Sequence, residues 1–223
     1  MNKDIFKFQK EDPNKIVRSF FSEKEKMLIN GAVKLGYSKA DDKLKSTPWL
    51  TQDDKDISAR LKTRAVWFYM YSLASKGKIG CDFTIEYNSD HTTRFLLGRS
   101  EDKKSCFTVN QTSSNTRSSR YAKYRAERHK NFESYFDLWD EGDLITEAPL
   151  YFELNHGYQG TSPNFVIFGI PDNNQRWYAS EQLLTFGSMQ MELDTKPFKT
   201  KAEDVPDFSE SEFENFMKEL GER

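Results

Sequence analysis

The chain contains few of the residues that build disulfide scaffolds or metal sites. Its 223 residues include two cysteines, Cys81 and Cys106, and three histidines that lie far apart in the chain. Two cysteines cannot staple a small fold, and without CxxC or HExxH spacing these residues predict neither a zinc site nor a redox site. We therefore expect a protein of a reducing compartment, with two buried thiols and no metal ion.

Long apolar runs are also absent from the sequence. No stretch approaches the roughly 18 apolar residues of a membrane span, and the N-terminal residues lack the apolar core of a secretion signal. Hydrophobic residues make up 36% of the chain, charged residues 30% and aromatic residues 14%, a balance typical of a folded protein with a polar surface. The sequence thus predicts a cytoplasmic protein that does not bind membranes.

Motifs for nucleotide hydrolysis and for serine hydrolysis are missing. The glycines at 77–80 and 157–160 are not followed by the GK[ST] ending that places lysine and hydroxyl groups on phosphate and metal. No serine lies in a GxSxG elbow. We therefore predict a non-enzymatic protein that carries no cofactor.

Hydrophobic periodicity predicts a single α+β domain over residues 1–200. Apolar residues at spacings of three and four predict a helix from Pro13 to about Leu35, and a second helix from about Thr51 to Gly77. The polar segment between the helices, Tyr37 to Pro48, is expected to be a surface connection. The fold is therefore expected to begin with two helices.

The later sequence predicts an antiparallel sheet of about five to seven strands, packed with the N-terminal helices. Apolar and polar residues alternate, or apolar residues cluster, over 81–87, 92–99, 105–111, 149–155, 164–170 and 188–193. The polar stretch 111–119 predicts a mobile loop, and an aromatic stripe from Tyr121 to Trp139 predicts one inserted helix. Residues 201–223 predict an acidic C-terminal helix with one apolar stripe.

The formal net charge of −2 hides a strong asymmetry along the chain. Residues 1–93 carry 17 basic and 13 acidic residues, residues 94–130 carry ten and three, and residues 131–223 carry six and 19. A local excess of Lys and Arg is typical of a surface that contacts phosphates, because these side chains displace condensed counterions. The acidic block confines any such contact to one face of the molecule.

The basic block predicts a protein that binds nucleic acid, or a nucleic-acid-handling protein complex, through phosphate contacts. On a helix with an aromatic stripe docked on the sheet, the basic residues would occupy the opposite side. The candidate binding residues are Arg94, Arg99, Lys103, Lys104, Arg117, Arg120, Lys123, Arg125, Arg128 and Lys130. The alternative is a solvated basic face whose aliphatic stems cover apolar surface.

Two other functions are compatible with the sequence. Asp172, followed later by Asp194 and Lys196, matches the pattern of a divalent-metal-dependent nuclease, although Asp172 also fits a turn. The acidic residues around the C-terminal apolar stripe would suit a regulatory inhibitor that binds a basic protein. These alternatives differ from the first hypothesis in requiring a metal ion or the acidic surface.

Overall fold

The computed structural model describes the chain in eight segments. They are residues 6–8, 11–47, 55–128, 144–146, 148–157, 160–172, 174–184 and 210–221. Within them the predicted mixture of helices and sheet is confirmed, since a six-stranded, mostly antiparallel sheet packs against helices. No helix in these segments combines the length and the apolar character needed to cross a bilayer.

The N-terminal part of the chain forms two helices where one was predicted. The helices are α1 Pro13–Phe20, α2 Glu23–Ser46, α3 Lys55–Ser75, α4 over 123–128 and α5 Glu210–Gly221. The Ser22 hydroxyl accepts from the Glu25 backbone N–H, and the Glu25 carboxylate accepts from the Ser22 N–H at 2.8 Å. This capping box starts a new helix at Glu23, so the prediction of one continuous helix from Pro13 to about Leu35 is wrong.

Helix α2 also continues through the segment that was predicted to be a surface connection. Val33, Tyr37, Ala40 and Leu44 are buried, at spacings of four, three and four, so the charged residues between them occupy the exposed side of a helix. The prediction of a connection at 37–48 is therefore wrong up to Ser46, because the apolar stripe is sparse among many charges. Pro48 lies outside the described residues.

The sheet contains one parallel pair. Its strands are β2 Cys81–Tyr87, β3 Arg94–Ser100, β4 Ser105–Gln111, β6 Leu150–His156, β7 Val166–Pro171 and β8 Trp177–Leu184, in the order β2-β3-β4-β6-β7-β8. Strands β4 and β6 pair in parallel because the chain between them returns to the opposite end of the sheet. A separate antiparallel pair joins β1 Phe6–Phe8 to β5 Leu144–Thr146, and the sequence did not predict it.

The helix-covered face of the sheet holds the aromatic core. Phe107, Phe152 and Phe168 lie on this face of neighbouring strands, and the ring of Phe20 from α1 packs within 5.8 Å of all three ring centroids. Helix α5 docks through Phe213 and Phe216, whose rings lie 5.2 and 5.4 Å from the Phe68 ring of α3. These contacts pack α1 against this face of the sheet and α5 against α3.

The opposite face carries polar side chains under the segment 112–128. Thr108, Glu153 and Asn155 point to this face and are all buried. The predicted aromatic helix is described only at 123–128, and Trp139 and the predicted strand 188–193 lie outside the described residues. The candidate site lies at one end of the sheet, between α3 and the segment 112–128.

Candidate functional site

A cleft of about 670 Å³ opens between α3, the sheet and the loop 112–120. We term it the arginine cleft, after the lining residues Arg60, Arg64, Arg94, Arg117, Arg120 and Arg125. Serine, threonine, asparagine and glutamine side chains form much of the remaining wall. Among the described residues that line the cleft, none is acidic. The described part of the wall therefore contains six arginines and no carboxylate.

Arg64 of α3 contributes a partly buried side chain to this wall. Its guanidinium carbon lies 4.4 Å from the centroid of the Trp67 ring, and its Nη1 atom is buried without a hydrogen-bond partner in the described part of the chain. Burial lowers the pKa of Arg64, and the charges of Arg94 and Arg60 lower it further. Because arginine stays protonated in proteins, Arg64 contributes a positive charge that no carboxylate in the described part of the chain pairs with.

The sheet contributes residues at one end of two antiparallel strands. Arg94 begins β3, and Gln111 ends β4, so both lie at the cleft end of the sheet. The Arg94 guanidinium carbon lies 5.1 Å from the centroid of the Tyr87 ring, which orients the side chain. The strand geometry thus brings a basic residue of β3 beside the two arginines of α3.

The loop 112–120 presents Arg117 and Arg120 on either side of two buried serines. The Ser118 N–H donates to the Gln175 carbonyl at 3.1 Å, and the Ser119 N–H donates to the Glu153 carboxylate at 2.8 Å. Both arginines are exposed and form no ion pair within the described residues, while the serines between them are fixed. The loop lacks helix and strand, as predicted, but its last residues are anchored.

The carboxylate of Glu153 lies beneath the cleft and holds Arg125. Glu153 is 2% exposed, and Arg125 Nε lies 3.7 Å from its Oε1 atom. The Asn155 amide and the Ser119 N–H also donate to Glu153, so the buried carboxylate is well solvated by protein groups. Arg125 is therefore partly neutralised, although it lines the cleft.

The structure separates the other predicted binding residues from the cleft. Arg99 and Arg128 both pair with the Glu86 carboxylate, Arg128 at 2.8 Å. Lys103 and Lys104 lie in the β3–β4 hairpin at the far end of seven-residue strands, about 20 Å along the sheet from the cleft end.

The remaining predicted residues lie near α4. Lys123 is exposed at the first residue of α4, and Lys130 lies outside the described residues. Arg117 and Arg120 precede α4, so the expectation that they lie on a helix is wrong. The polar run before α4 remains a loop because Ser119 bonds to Glu153 and Asn155 of β6, and Ser118 bonds to the turn at Gln175. Of the ten predicted residues, the structure brings four into the arginine cleft.

Sequence reasoning missed the two arginines from α3. Arg60 and Arg64 are one turn apart, so they lie on the same face of the helix, and Trp67 follows three residues later. This pattern of two basic residues and an aromatic residue on one helix face was the available signal. It went unused because the local charge of residues 1–93 is nearly balanced.

The nuclease pattern receives a structural explanation at Asp172. Its carboxylate accepts hydrogen bonds from the backbone N–H groups of Asn174 and Arg176, at 2.9 and 2.6 Å, which forms a turn before β8. Asp194 and Lys196 lie outside the described residues. No group of three or more metal-ligating His, Cys, Asp or Glu side chains occurs within the described segments.

The two thiols lie in the core and are poorly suited to nucleophilic chemistry. Cys81 and Cys106 are buried, and burial raises the pKa of each thiol. A thiol with a raised pKa holds little of the reactive thiolate near neutral pH.

The structure therefore leaves the arginine cleft as the candidate site, with a wall suited to an anionic ligand. No family model, curated protein or solved structure matches the chain.

Proposed function

We propose that this protein is a non-enzymatic binding protein that holds the phosphate groups of nucleic acid in the arginine cleft. The observation that carries this proposal is that six arginines line the cleft, while no acidic residue belongs to the part of its wall that the structure describes. Like charges repel at close range, so such a cluster is retained at a cost in stability unless a polyanion compensates it. A ligand that supplies several negative charges resolves this imbalance.

The chemistry of the cleft favours phosphate. The planar guanidinium group offers donors in a fork that matches two phosphate oxygens, and Arg64, a lining residue of the cleft, has a buried Nη1 atom without a hydrogen-bond partner in the described part of the chain. Arg64, Arg94 and Arg117 come from three different elements, a helix, a strand and a loop. Guanidinium groups on three sides of a cleft can surround a chain of phosphates, whereas a single basic row would contact one side.

The uncharged polar residues in the wall of the cleft favour nucleic acid over an acidic peptide as the ligand. Ser113 and Gln175 are exposed and line the cleft between the arginines. Hydroxyl and amide groups donate to and accept from base edges and sugars, while the carboxylates of an acidic peptide require donors alone. An acidic peptide is therefore expected to compete weakly with an oligonucleotide.

The proposal is tested by the affinity for a labelled oligonucleotide at increasing salt. The double variant Arg117→Gln, Arg120→Gln removes two exposed charges of the cleft and leaves the buried serines in place. We expect its affinity to fall about tenfold, and the slope of log K against log salt to become shallower by about 1.4 for a single strand or about 1.8 for a duplex, because two phosphate contacts are lost.

The matched control is the double variant Lys103→Gln, Lys104→Gln, which removes two charges at the opposite end of the sheet. Its affinity is expected to stay within about twofold of the unmodified protein, since solvated charges beyond a Debye length act weakly. Absence of oligonucleotide binding at about 50 mM salt would refute the proposal. Equal losses in both double variants would also refute it, because binding would then depend on net charge rather than on the cleft.

A further inference from the structure

We infer that the arginine cleft takes a single strand rather than a duplex, with one unpaired base stacked on Tyr121. This inference rests on the proposed function and narrows its ligand. Tyr121 is 73% exposed, and it directly follows Arg120, a lining residue of the cleft. An aromatic ring beside a basic groove is the arrangement by which proteins hold single strands.

Tyr121 differs from its aromatic neighbour in having no ring contact. The ring of Tyr124 stacks on Phe95 with the centroids 4.0 Å apart and an interplanar angle of 7°. Tyr121 has no ring partner and no hydrogen-bond partner among the described residues, and its position between Arg120 and Lys123 keeps it near positive charge. The Tyr124 ring anchors the segment to the sheet, which leaves the Tyr121 ring available to a ligand.

The shape of the cleft favours an unpaired strand. A volume of about 670 Å³ lies within the range of pockets that enclose small organic ligands. A duplex presents a convex surface whose bases are stacked and paired, and proteins enter its grooves with a protruding helix or β-ribbon. Here the protein surface is concave at the basic residues. One or two nucleotides of a strand fit such a cleft, while the two backbones of a duplex do not.

The anchoring of the loop supports the same ligand. The hydrogen bonds of Ser118 and Ser119 fix the backbone between the basic side chains, and the arginine at the end of this segment leads directly into Tyr121. Phosphates held by Arg117 and Arg120 would place the adjoining nucleotide beside the Tyr121 ring. Because every base has an aromatic face, stacking there is expected to tolerate any base.

The experiment compares one oligonucleotide of about 12 nucleotides as a single strand and as a duplex, together with a mononucleotide. Fluorescence anisotropy at constant salt reports each affinity. We expect the single strand to bind at least tenfold more tightly than the duplex, and the mononucleotide to bind more weakly than both forms of the oligonucleotide. A duplex affinity equal to or above that of the single strand would overturn the inference.

Tyr121 is tested with a matched pair of substitutions. Tyr121→Ala removes the ring and is expected to weaken single-strand binding at least fivefold, whereas Tyr121→Phe keeps the ring and is expected to bind within about twofold of the unmodified protein. Tyr71→Ala, at a tyrosine of α3 that is 38% exposed, serves as the control for loss of a surface ring elsewhere. Unchanged binding by Tyr121→Ala would overturn the role of Tyr121.

The two proposals fail in different ways. If no oligonucleotide binds in any form, the proposed function itself is wrong. If oligonucleotides bind and the affinity depends on Arg117 and Arg120, but the duplex is preferred or Tyr121→Ala is neutral, the proposed function stands and the inference falls. Binding of the mononucleotide as tightly as the single strand would also overturn the inference, since one nucleotide would then supply all of the binding energy and no strand would be needed.

Discussion

At the scale of single residues, Arg64 and His156 both hold a buried nitrogen atom without a hydrogen-bond partner in the described segments. Arg64 lines the cleft, although its Nη1 atom itself is buried. His156 is fully enclosed, and its Nδ1 lies 2.9 Å from the Tyr37 hydroxyl. The hydroxyl donates to the Gly157 carbonyl and accepts from Gln111, which leaves its second lone pair for an Nδ1–H group. The Nε2 atom of His156 is therefore unprotonated.

Because His156 is buried, we expect the folded protein to lose stability in acid. Burial lowers the pKa of His156 to about 3, well below its ordinary value of about 6.5. The unfolded chain therefore binds a proton that the folded chain does not, and the stability present above about pH 6.5 is lost as the pH falls toward 3. Between about pH 7.5 and about pH 5, this group is expected to lower the free energy of unfolding by about 2 kcal/mol.

Urea unfolding at the two pH values measures this effect, with His156→Gln as the control. Glutamine keeps a donor for the Tyr37 hydroxyl but does not titrate. The unmodified protein should lose about 2 kcal/mol more than the variant on acidification. An equal loss in both proteins would show that His156 is not the group that resists protonation.

At the scale of elements, the contact between α2 and α3 depends on Gly36. A Cβ atom at this position would lie 2.8 Å from the backbone nitrogen of Val66, so the two helices touch backbone to backbone. The sequence alone indicated a helix end at Gly36, because glycine commonly follows the last turn of a helix. Close packing of two helices is the second reason for a glycine, and it requires knowledge of the partner helix. Helix packing is tertiary structure, so the local sequence pattern did not predict this role of Gly36.

Gly36→Ala is expected to lower the free energy of unfolding by about 2 kcal/mol, because the Val66 backbone must move to admit a methyl group. In a helix interior without such a neighbour, the same substitution stabilises by about 0.5–1 kcal/mol. In a chemical denaturation experiment, a decrease in the free energy of unfolding would therefore confirm the close contact at Gly36.

Gly80→Ala serves as the matched control for Gly36→Ala. The nearest atoms to a Cβ at Gly80 are carboxylate oxygens of Glu25 and Glu101, at 3.4 and 3.5 Å, which is ordinary van der Waals contact, so the Glu25 carboxylate can keep its place in the capping box. We expect the control to change stability by less than about 0.5 kcal/mol. A stabilised Gly36→Ala variant would contradict the close contact between α2 and α3.

At the scale of the whole molecule, much of the fold was predictable from short-range patterns. Strands β2, β3, β4, β6 and β7 lie within two residues of their predicted bounds, because alternation and apolar runs are properties of each segment. The parallel pairing of β4 with β6 was not predictable, since it depends on the path of the chain between 111 and 150. Likewise, charge density identified Arg117 and Arg120, but Arg60 and Arg64 join them only through the packing of α3.

On the proposed function, the charge asymmetry would favour approach of a polyanion to the arginine cleft. Residues 131–223 carry 19 acidic and six basic residues, so this block as a whole repels a nucleic-acid strand, whereas the arginines of the cleft attract it. Not all basic residues of 94–130 are free of carboxylates, because Arg99, Arg125 and Arg128 are paired with them. The proposed site therefore depends on a smaller group of arginines, to which α3 adds two.

The most direct test of the central claim follows the arginine side chains themselves during binding. In ¹⁵N NMR spectra, we expect the Nε–Hε signals of Arg60, Arg64, Arg94, Arg117 and Arg120 to shift on titration with a single-stranded oligonucleotide. The signals of Arg18, on α1, and Arg99, paired with Glu86, are expected to stay in place. Shifts confined to Arg18 and Arg99, or spread evenly over all arginines, would contradict the assignment of the phosphates to the arginine cleft.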